Sequence, residues 1–220
     1  MALILNLETA GTNCSVSLAR DGQLLAIAEE NSPGYSHSEQ LHPFIKAVLQ
    51  KAGLGFETLD AVAVSKGPGS YTGLRIGVSA AKGLCYALDI PLISLPTLRG
   101  MALQFKEAEG ILIPVLDARR MEVYSAVYSE GHEELRATRA EIITPESYAE
   151  YASRGRAHLL GSGAKKCREV LAHPNFEFHD AIVPSAREMA GPADLKYRER
   201  EFEDTAYFEP FYLKDFLPKG

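Results

Sequence analysis

Little in this chain marks it as a catalyst. Its 220 residues include three cysteines, Cys14, Cys85 and Cys167, odd in number and far apart. They make no CxxC and no paired framework, which points to a reducing cytoplasm rather than a disulfide-stapled secreted domain. A basic surplus is missing too: 23 Lys and Arg stand against 29 Asp and Glu, for a net charge of -6. A protein that grips nucleic acid unaided needs a basic face to replace phosphate counterions, so none is expected to bind this chain alone. Acidic substrates and anionic membranes are disfavoured for the same reason. The opening "MALILNLETAG" has no basic region, and its apolar run is too short for a signal peptide or a membrane span, so neither is expected. No low-complexity segment occurs. At 46% hydrophobic and 24% charged residues, the composition is that of a globular protein, with length for one large domain or two small ones.

Catalytic signatures are equally scarce. There is no HExxH, no GxSxG and no Cys-His pattern. His37 and His42 are five apart and do not share a helix face. His132, His158, His173 and His179 are scattered and read as surface or hydrogen-bonded structural residues, so no metal site is expected. "GPGSYTG" lacks the Gly-Lys-Ser/Thr ending of a P-loop, and its Lys66 precedes the glycines. Ser70 has no visible base. No catalytic residue is assigned.

What is present is a duplication. "LILNL" reads as a buried strand ending in Glu8, and the alternating "CSVSLAR" follows. Asp21-Gly22 is a hairpin turn, and "QLLAIAEE" returns. Ser36 and Glu39 have capping-box spacing, and Leu41, Ile45, Val48, Leu49 and Ala52 form one apolar stripe ending at Gly53. Pro43 predicts either a kink or a helix that starts nearer His42. "LDAVAVS" is a strand, the glycine stretch leads a helix to about Leu88, "PLISL" is a strand, and Thr97 opens a helix to about Ala108. At "GILIPVLDARRMEVYSAVYSEGHEEL" the opening pattern returns, with Asp117 at the strand end. Fourteen positions separate Glu8 from Gly22, and again Asp117 from Gly131. Thr144-Pro145 predicts a helix start, and "HLLGSGAKKCREVL" repeats strand, glycine loop, helix. Two α/β lobes with mixed sheets follow, 1–103 and 104–220. Near the end, Ser185 and Glu188 predict a helix that Gly191-Pro192 stops early. "DLKYRERE" then reads as an exposed charged stretch, and the aromatic "AYFEPFYLKDF" as a segment packed back on the body.

Two lobes, each with a carboxylate ending its first strand, suggest a cleft for a metal-nucleotide. The pattern resembles the actin-like (RNase H-like) ATPases, whose hairpin turns carry glycines so that backbone N–H groups reach phosphate oxygens. The first turn keeps Gly11 and Thr12. The second has Arg119 and Arg120 where glycine would be expected, and Glu8 carries its carboxylate one methylene further out than aspartate. Both turns therefore read as degenerate, with weak or absent ATP chemistry in one chain.

The stretch "VSKGPGSYTGLRIGVSAAKG", Val64 to Gly83, raises a separate question. Ser70 caps the helix, and the N–H groups beyond it could hold an anion. Leu74, Val78, Ala81, Cys85 and Leu88 form the inner face, while Gly73, Gly77 and Ala80 lie on a neighbouring one. A helical glycine costs about 1 kcal/mol relative to alanine, so something must approach closely there. It is an internal element or a second polypeptide.

Longer motifs bear on that choice. "KGPGSYTGLRIGVSAAKGL" is similar to the GPGSFTGLRIG segment of the TsaB family, and "DARRMEVYSAVY" to its DARRGEVY segment. "HSEQLHP" resembles its first-helix start, "EPFYLKD" its EPxYLRD tail, and "ILNLETA" its opening strand, where the family usually has aspartate in place of Glu8. "EMAGPADLKYRER" departs from the family's longer helix. The resemblance implies the small, non-catalytic, actin-like subunit of the machinery that makes threonylcarbamoyladenosine beside the anticodon of tRNAs reading ANN codons. That subunit is a paralogue of catalytic TsaD, whose HxxxH metal site is absent here, since Leu41 stands four after His37. The implied partners are a TsaD-like catalytic subunit, a TsaE-like ATPase, and a second copy when the chain is alone. tRNA is reached only through the complex, with no membrane contact and no cofactor beyond a nucleotide at a shared interface. The family's dimer surface carries over to His37, Leu41, Ile45, Ser70, Tyr71, Thr72, Gly73, Leu74, Arg75, Gly77 and Ala80. On this reading the glycines thin the helix for a partner, Arg75 bonds across the interface, and Gly77→Leu spares the fold. The rivals are an active actin-like small-molecule kinase or ATPase, which "DARRM" opposes, and a metallopeptidase, which lacks its metal spacing.

Overall fold

The computed structural model describes residues 1–32, 37–106 and 109–214. The expected cap Ser36, the expected helix end at Ala108 and Asp215 of the tail motif lie outside the described residues. Two compact units emerge among the described residues, Met1–Gly100 with Pro184–Tyr212, and Met101–Val183 with Leu213 and Lys214.

In the first unit, β1 (Leu3–Glu8), β2 (Asn13–Arg20) and β3 (Gln23–Asn31) form the expected meander. The β2–β3 turn places Asp21 (φ 50°) and Gly22 (φ 76°) in the left-handed region that two-residue hairpins require. β4 (Ala61–Gly67) and β5 (Leu92–Pro96) join in parallel, giving the order β3-β2-β1-β4-β5. One sheet face packs on α1 (His37–Ala52) and α2 (Tyr71–Leu88), where Leu5, Leu7, Val16 and Val64 meet Leu41, Ile45, Val48 and Val78. α1 begins at His37 and runs through Pro43, whose ring is exposed. The buried stripe on both sides of the proline outweighs its lost hydrogen bond. α3 (Thr97–Leu103) is shorter than expected.

The second unit repeats the plan. β6 (Ile111–Asp117), β7 (Glu122–Tyr128) and β8 (Glu134–Ile142) are antiparallel, and β9 (Ala157–Leu160) and β10 (Phe176–His179) add in parallel. The order β10-β9-β6-β7-β8 is the first sheet's order read from the other end. The fold is thus two duplicated actin-like lobes, each a mixed five-stranded sheet with flanking helices. The helices of this copy are reduced: α4 (Ala149–Ala152) and α5 (Ala164–Arg168) have four and five residues. After Thr144-Pro145 the chain makes turns until Tyr148 rather than a helix start.

The segment Pro184–Tyr212 departs from the expected division. The reading 104–220 assigns all of it to the second lobe, yet Pro184–Tyr212 packs on the first. The second face of the first sheet explains this. Ile4, Ala61, Ala63, Ile93 and Leu95 are apolar and need cover, which Ala186, Met189 and Ala193 supply. Ala193 belongs to α6 (Ala190–Glu199), a helix across the segment where Gly191-Pro192 was expected to stop one. Pro192 lies in its first turn, where a missing N–H breaks no intrahelical bond. The aromatic segment packs back as expected, with Phe211 N donating to Lys66 O at 2.7 Å.

Candidate functional site

The β1–β2 turn and the start of α2 are built against each other. Thr9 Oγ1 donates to the carbonyl of Gly73 at 2.8 Å, and Ser70 N donates to the carbonyl of Ala10 at 2.8 Å. A Cβ on Gly73 would stand 2.1 Å from Thr9 O, one on Gly77 2.3 Å from Thr9 Oγ1, and one on Gly69 2.5 Å from Ala10 O. All three are closer than atoms can sit. The close approach that the glycines serve is internal: α2 is thinned so that the chain's own first turn can seat on it. Ser70 caps α2 as expected, accepting from Gly73 N at 3.2 Å.

Part of the expected partner surface lies inside the chain itself. Gly73, Leu74 and Gly77 on α2, and His37, Leu41 and Ile45 on α1, are buried in the chain's own interior. Leu41 and Ile45 belong to the core, and His37 Nε2 lies 2.9 Å from the carbonyl of Gly11. Side chains used up by intramolecular packing cannot also form a docking face, and Gly77→Leu would collide with Thr9. Thr72 and Arg75 are exposed, and Ser70, Tyr71 and Ala80 half-buried. Continuing along the solvent side, Ser79, Gly83 and Tyr86 are exposed, Tyr86 at 88%, and nothing lies within 4 Å of a Cβ on Gly83. The expected segment Ser70 to Leu84 takes in Ser79 and Gly83 but stops short of Tyr86, although all three extend Thr72 and Arg75 at helical spacing. The Arg75 guanidinium lies 4.7 Å from the centre of the Tyr71 ring, which packs at 4.9 Å on Tyr212 of the returning tail.

Glu8 does not reach outward. Its carboxylate is buried and accepts from Ala10 N at 2.6 Å, closing its own turn. Burial raises its pKa to about 7, against the lowering effect of hydrogen bonds from Ala10, Ser65 and Thr9. The extra methylene thus folds inward, contrary to the expectation that it pushes the carboxylate further out. A Cβ on Gly11 would meet Pro184 at 3.1 Å, and Thr12 Oγ1 donates to Asn31 at 2.6 Å.

The corresponding turn of the second unit is closed differently. Arg119 (φ 71°) and Arg120 (φ 50°) are exposed and hold the left-handed backbone that glycine would adopt freely. Asp117 accepts from Arg119 N at 2.6 Å and from Lys166 Nζ at 2.7 Å. Lys166 also donates to the carbonyls of Arg120 and Glu122, at 2.6 and 3.1 Å. A lysine ammonium therefore neutralises the carboxylate and ties down the turn.

The second unit also gathers groups that the sequence scatters. His158, Glu177 and His179 bring their donor atoms together on β9 and β10. Among the described residues, no helix is long and apolar enough to cross a membrane.

This geometry is that of an actin-like protein whose two turns are satisfied from within, and the comparisons agree with that class. A family model described as TsaD, tRNA N6-adenosine threonylcarbamoyltransferase, matches residues 33–210. The Haemophilus influenzae and Escherichia coli proteins named tRNA threonylcarbamoyladenosine biosynthesis protein TsaB are each 28% identical over 96% of this chain, covering 93% and 94% of their own lengths. A crystal structure of a Pseudomonas aeruginosa protein, described as similar to peptidase YeaZ, superposes with a TM-score of 0.84 at 27% identity, covering 97% of this chain and all of that one. The chain belongs to the family of that TsaD model and, within it, to the TsaB family.

Proposed function

We propose that this chain is the non-catalytic subunit that binds and activates a TsaD-like catalytic subunit in threonylcarbamoyladenosine modification of ANN-decoding tRNAs, at the adenosine beside the anticodon. The observation that carries the reading is the closure of both turns. Glu8 is buried and spent on its own backbone, and Asp117, although exposed, has one oxygen engaged by Lys166 and by Arg119 N, an arrangement ill-suited to organising a metal-phosphate. A chain so arranged acts through contact. The contact surface assigned here is the solvent side of α2: Thr72, Arg75, Ser79, Ala80, Gly83 and Tyr86, with Ser70 and Tyr71 at its start. It keeps the exposed part of the expected surface and replaces the buried part.

The same reading has a TsaE-like ATPase joining the pair and a homodimer in the absence of the larger partner. Any nucleotide lodges at a shared interface, tRNA is reached through the complex, and the work is done in the cytoplasm. Co-purification with the TsaD-like protein of the same cell, followed by a modification assay with and without this chain, tests it. Association together with chain-dependent modification is the expected outcome. Calorimetry of the isolated protein with Mg-ATP tests the kinase alternative, and brisk turnover by this chain alone would overturn the proposal.

A further inference from the structure

His158, Glu177 and His179 sit on the edge of the second sheet in a pattern that neither closed turn uses. His158 lies directly opposite Glu177 across the parallel β9–β10 pair, and Glu177 and His179, two apart, share a face of β10. His158 Nδ1 is 3.2 Å from His179 Nε2 and 3.4 Å from Glu177 Oε2, and His179 Nε2 is 4.0 Å from that same oxygen. Zinc–nitrogen bonds of about 2.0–2.1 Å at tetrahedral angles put neighbouring ligand atoms about 3.3 Å apart. Two of the three separations already match, and the third needs only a small turn of a half-exposed glutamate.

The surroundings hold the donors in the right state. His158 Nε2 faces the carbonyl oxygen of Glu109 at 3.2 Å. A carbonyl only accepts, so a single ring proton sits on that nitrogen, and the lone pair of that tautomer lies on Nδ1, which faces the cluster. Such an outer hydrogen bond is the usual way a ligating histidine is oriented. The imidazole of His158 is 4% exposed and cannot swing away. Arg156 pairs with the other oxygen of Glu177 at 3.7 Å, leaving Oε2 to the histidines. The Phe105 ring lies 4.9 and 4.6 Å from the two imidazoles and walls one side with apolar surface.

We propose that His158 Nδ1, His179 Nε2 and Glu177 Oε2 bind a divalent first-row transition ion of the zinc class, with water completing the coordination. Two imidazoles and one carboxylate suit zinc rather than magnesium or calcium, which favour all-oxygen sets. On binding, the proton that His179 Nε2 shares with His158 Nδ1 is displaced, and His179 takes its other tautomer. The ion would bolt the four-residue edge strand β10 to β9.

The test uses the full chain stripped with a chelator. Zn2+ uptake is measured by competition with a chromophoric chelator, and Co2+ uptake by its visible spectrum, for wild type, His179→Ala and Glu177→Gln. Both substituted positions are partly exposed on an edge strand, and circular dichroism checks that each variant is folded. Wild type should take up one equivalent of Zn2+ and melt higher with it. His179→Ala should weaken uptake by about 100-fold or more, at least the effect of losing an outer-shell partner, and Glu177→Gln by a smaller factor. Intense Co2+ bands in wild type that fade in folded His179→Ala support the site. No uptake by wild type, or equal uptake by wild type and both folded variants, overturns it.

Discussion

Gly73 and Gly77 owe their identity to Thr9. The carbonyl and hydroxyl of that one residue fill the space where each Cβ would project. We expect Gly77→Ala and Gly73→Ala to destabilise the protein by about 1–3 kcal/mol, the usual effect of overpacking a tight contact. Urea denaturation measures it, and unchanged midpoints would refute the internal role of these glycines. Glu8 makes a second prediction at this scale. Its carboxyl is raised in the fold to about 7 from 4.5. Below pH about 4.5 the group is protonated folded and unfolded, and contributes no pH dependence. Between about 4.5 and 7 the unfolded chain gives up the proton while the folded chain keeps it, so stability falls as pH rises, by up to about 3 kcal/mol, and then levels off. Glu8→Gln should remove that slope, read as the difference between the two proteins' unfolding free energies across the window. Parallel profiles would refute the buried, raised carboxyl. Neither role was legible in the sequence. Glycine spacing shows that something approaches a helix but not what, and a strand-end carboxylate looks the same whether it points at solvent or at its own backbone.

At the scale of elements, the sequence is informative where periodicity is strong and weak where the contacts are long-range. The stripe Leu41, Ile45, Val48 and Leu49 predicts the buried side of α1, and Leu74, Val78, Ala81 and Cys85 that of α2. Pro43 does not shift the start of α1 to His42, because a propensity penalty of about 3 kcal/mol is smaller than the burial of several large side chains at about 1.5–3 kcal/mol each. Parallel pairing brings His158 to Glu177 and His179 across about 20 residues of chain, a distance over which no local motif operates. The outer side of α2 carries its own prediction. Gly83→Leu and Tyr86→Ala touch exposed positions, so stability should change little, within about 0.5 kcal/mol beyond helix propensity. Association with the TsaD-like partner should weaken by about tenfold, equivalent to ~1.4 kcal/mol, since tyrosines are enriched among the residues that dominate interfaces. Light scattering or calorimetry of the mixed proteins reads it. Unchanged affinity in both variants would move the docking surface elsewhere.

For the whole molecule, duplication and completion are separate matters. The repeated 14-residue spacing predicts two copies of one sheet, and the two sheets have the same strand order. The spacing cannot show that the first sheet is apolar on both faces and that its second cover comes from beyond residue 183. Ala186, Ala190 and Ala193 are small, and the surrounding Gly, Pro and charged residues resemble a stop followed by a solvated stretch. The structure gives that segment a definite load. Met189 is 3% exposed against Ile4, Ile93 and Leu95, and Ser17 Oγ donates to the carbonyl of Ala186 at 2.7 Å. Met189→Ala should therefore cost about 2–5 kcal/mol, the range for emptying a buried methionine site. The loss should be local in kind. Amide exchange should speed up in β1, β4 and β5, whose second face the segment covers, more than in β6, β7 and β9, because opening free energies follow the cooperative unit that lost its packing. Exchange accelerating chiefly in the second unit would mean that Pro184–Tyr212 supports that sheet instead, and the assignment of the segment to the first unit would have to be abandoned.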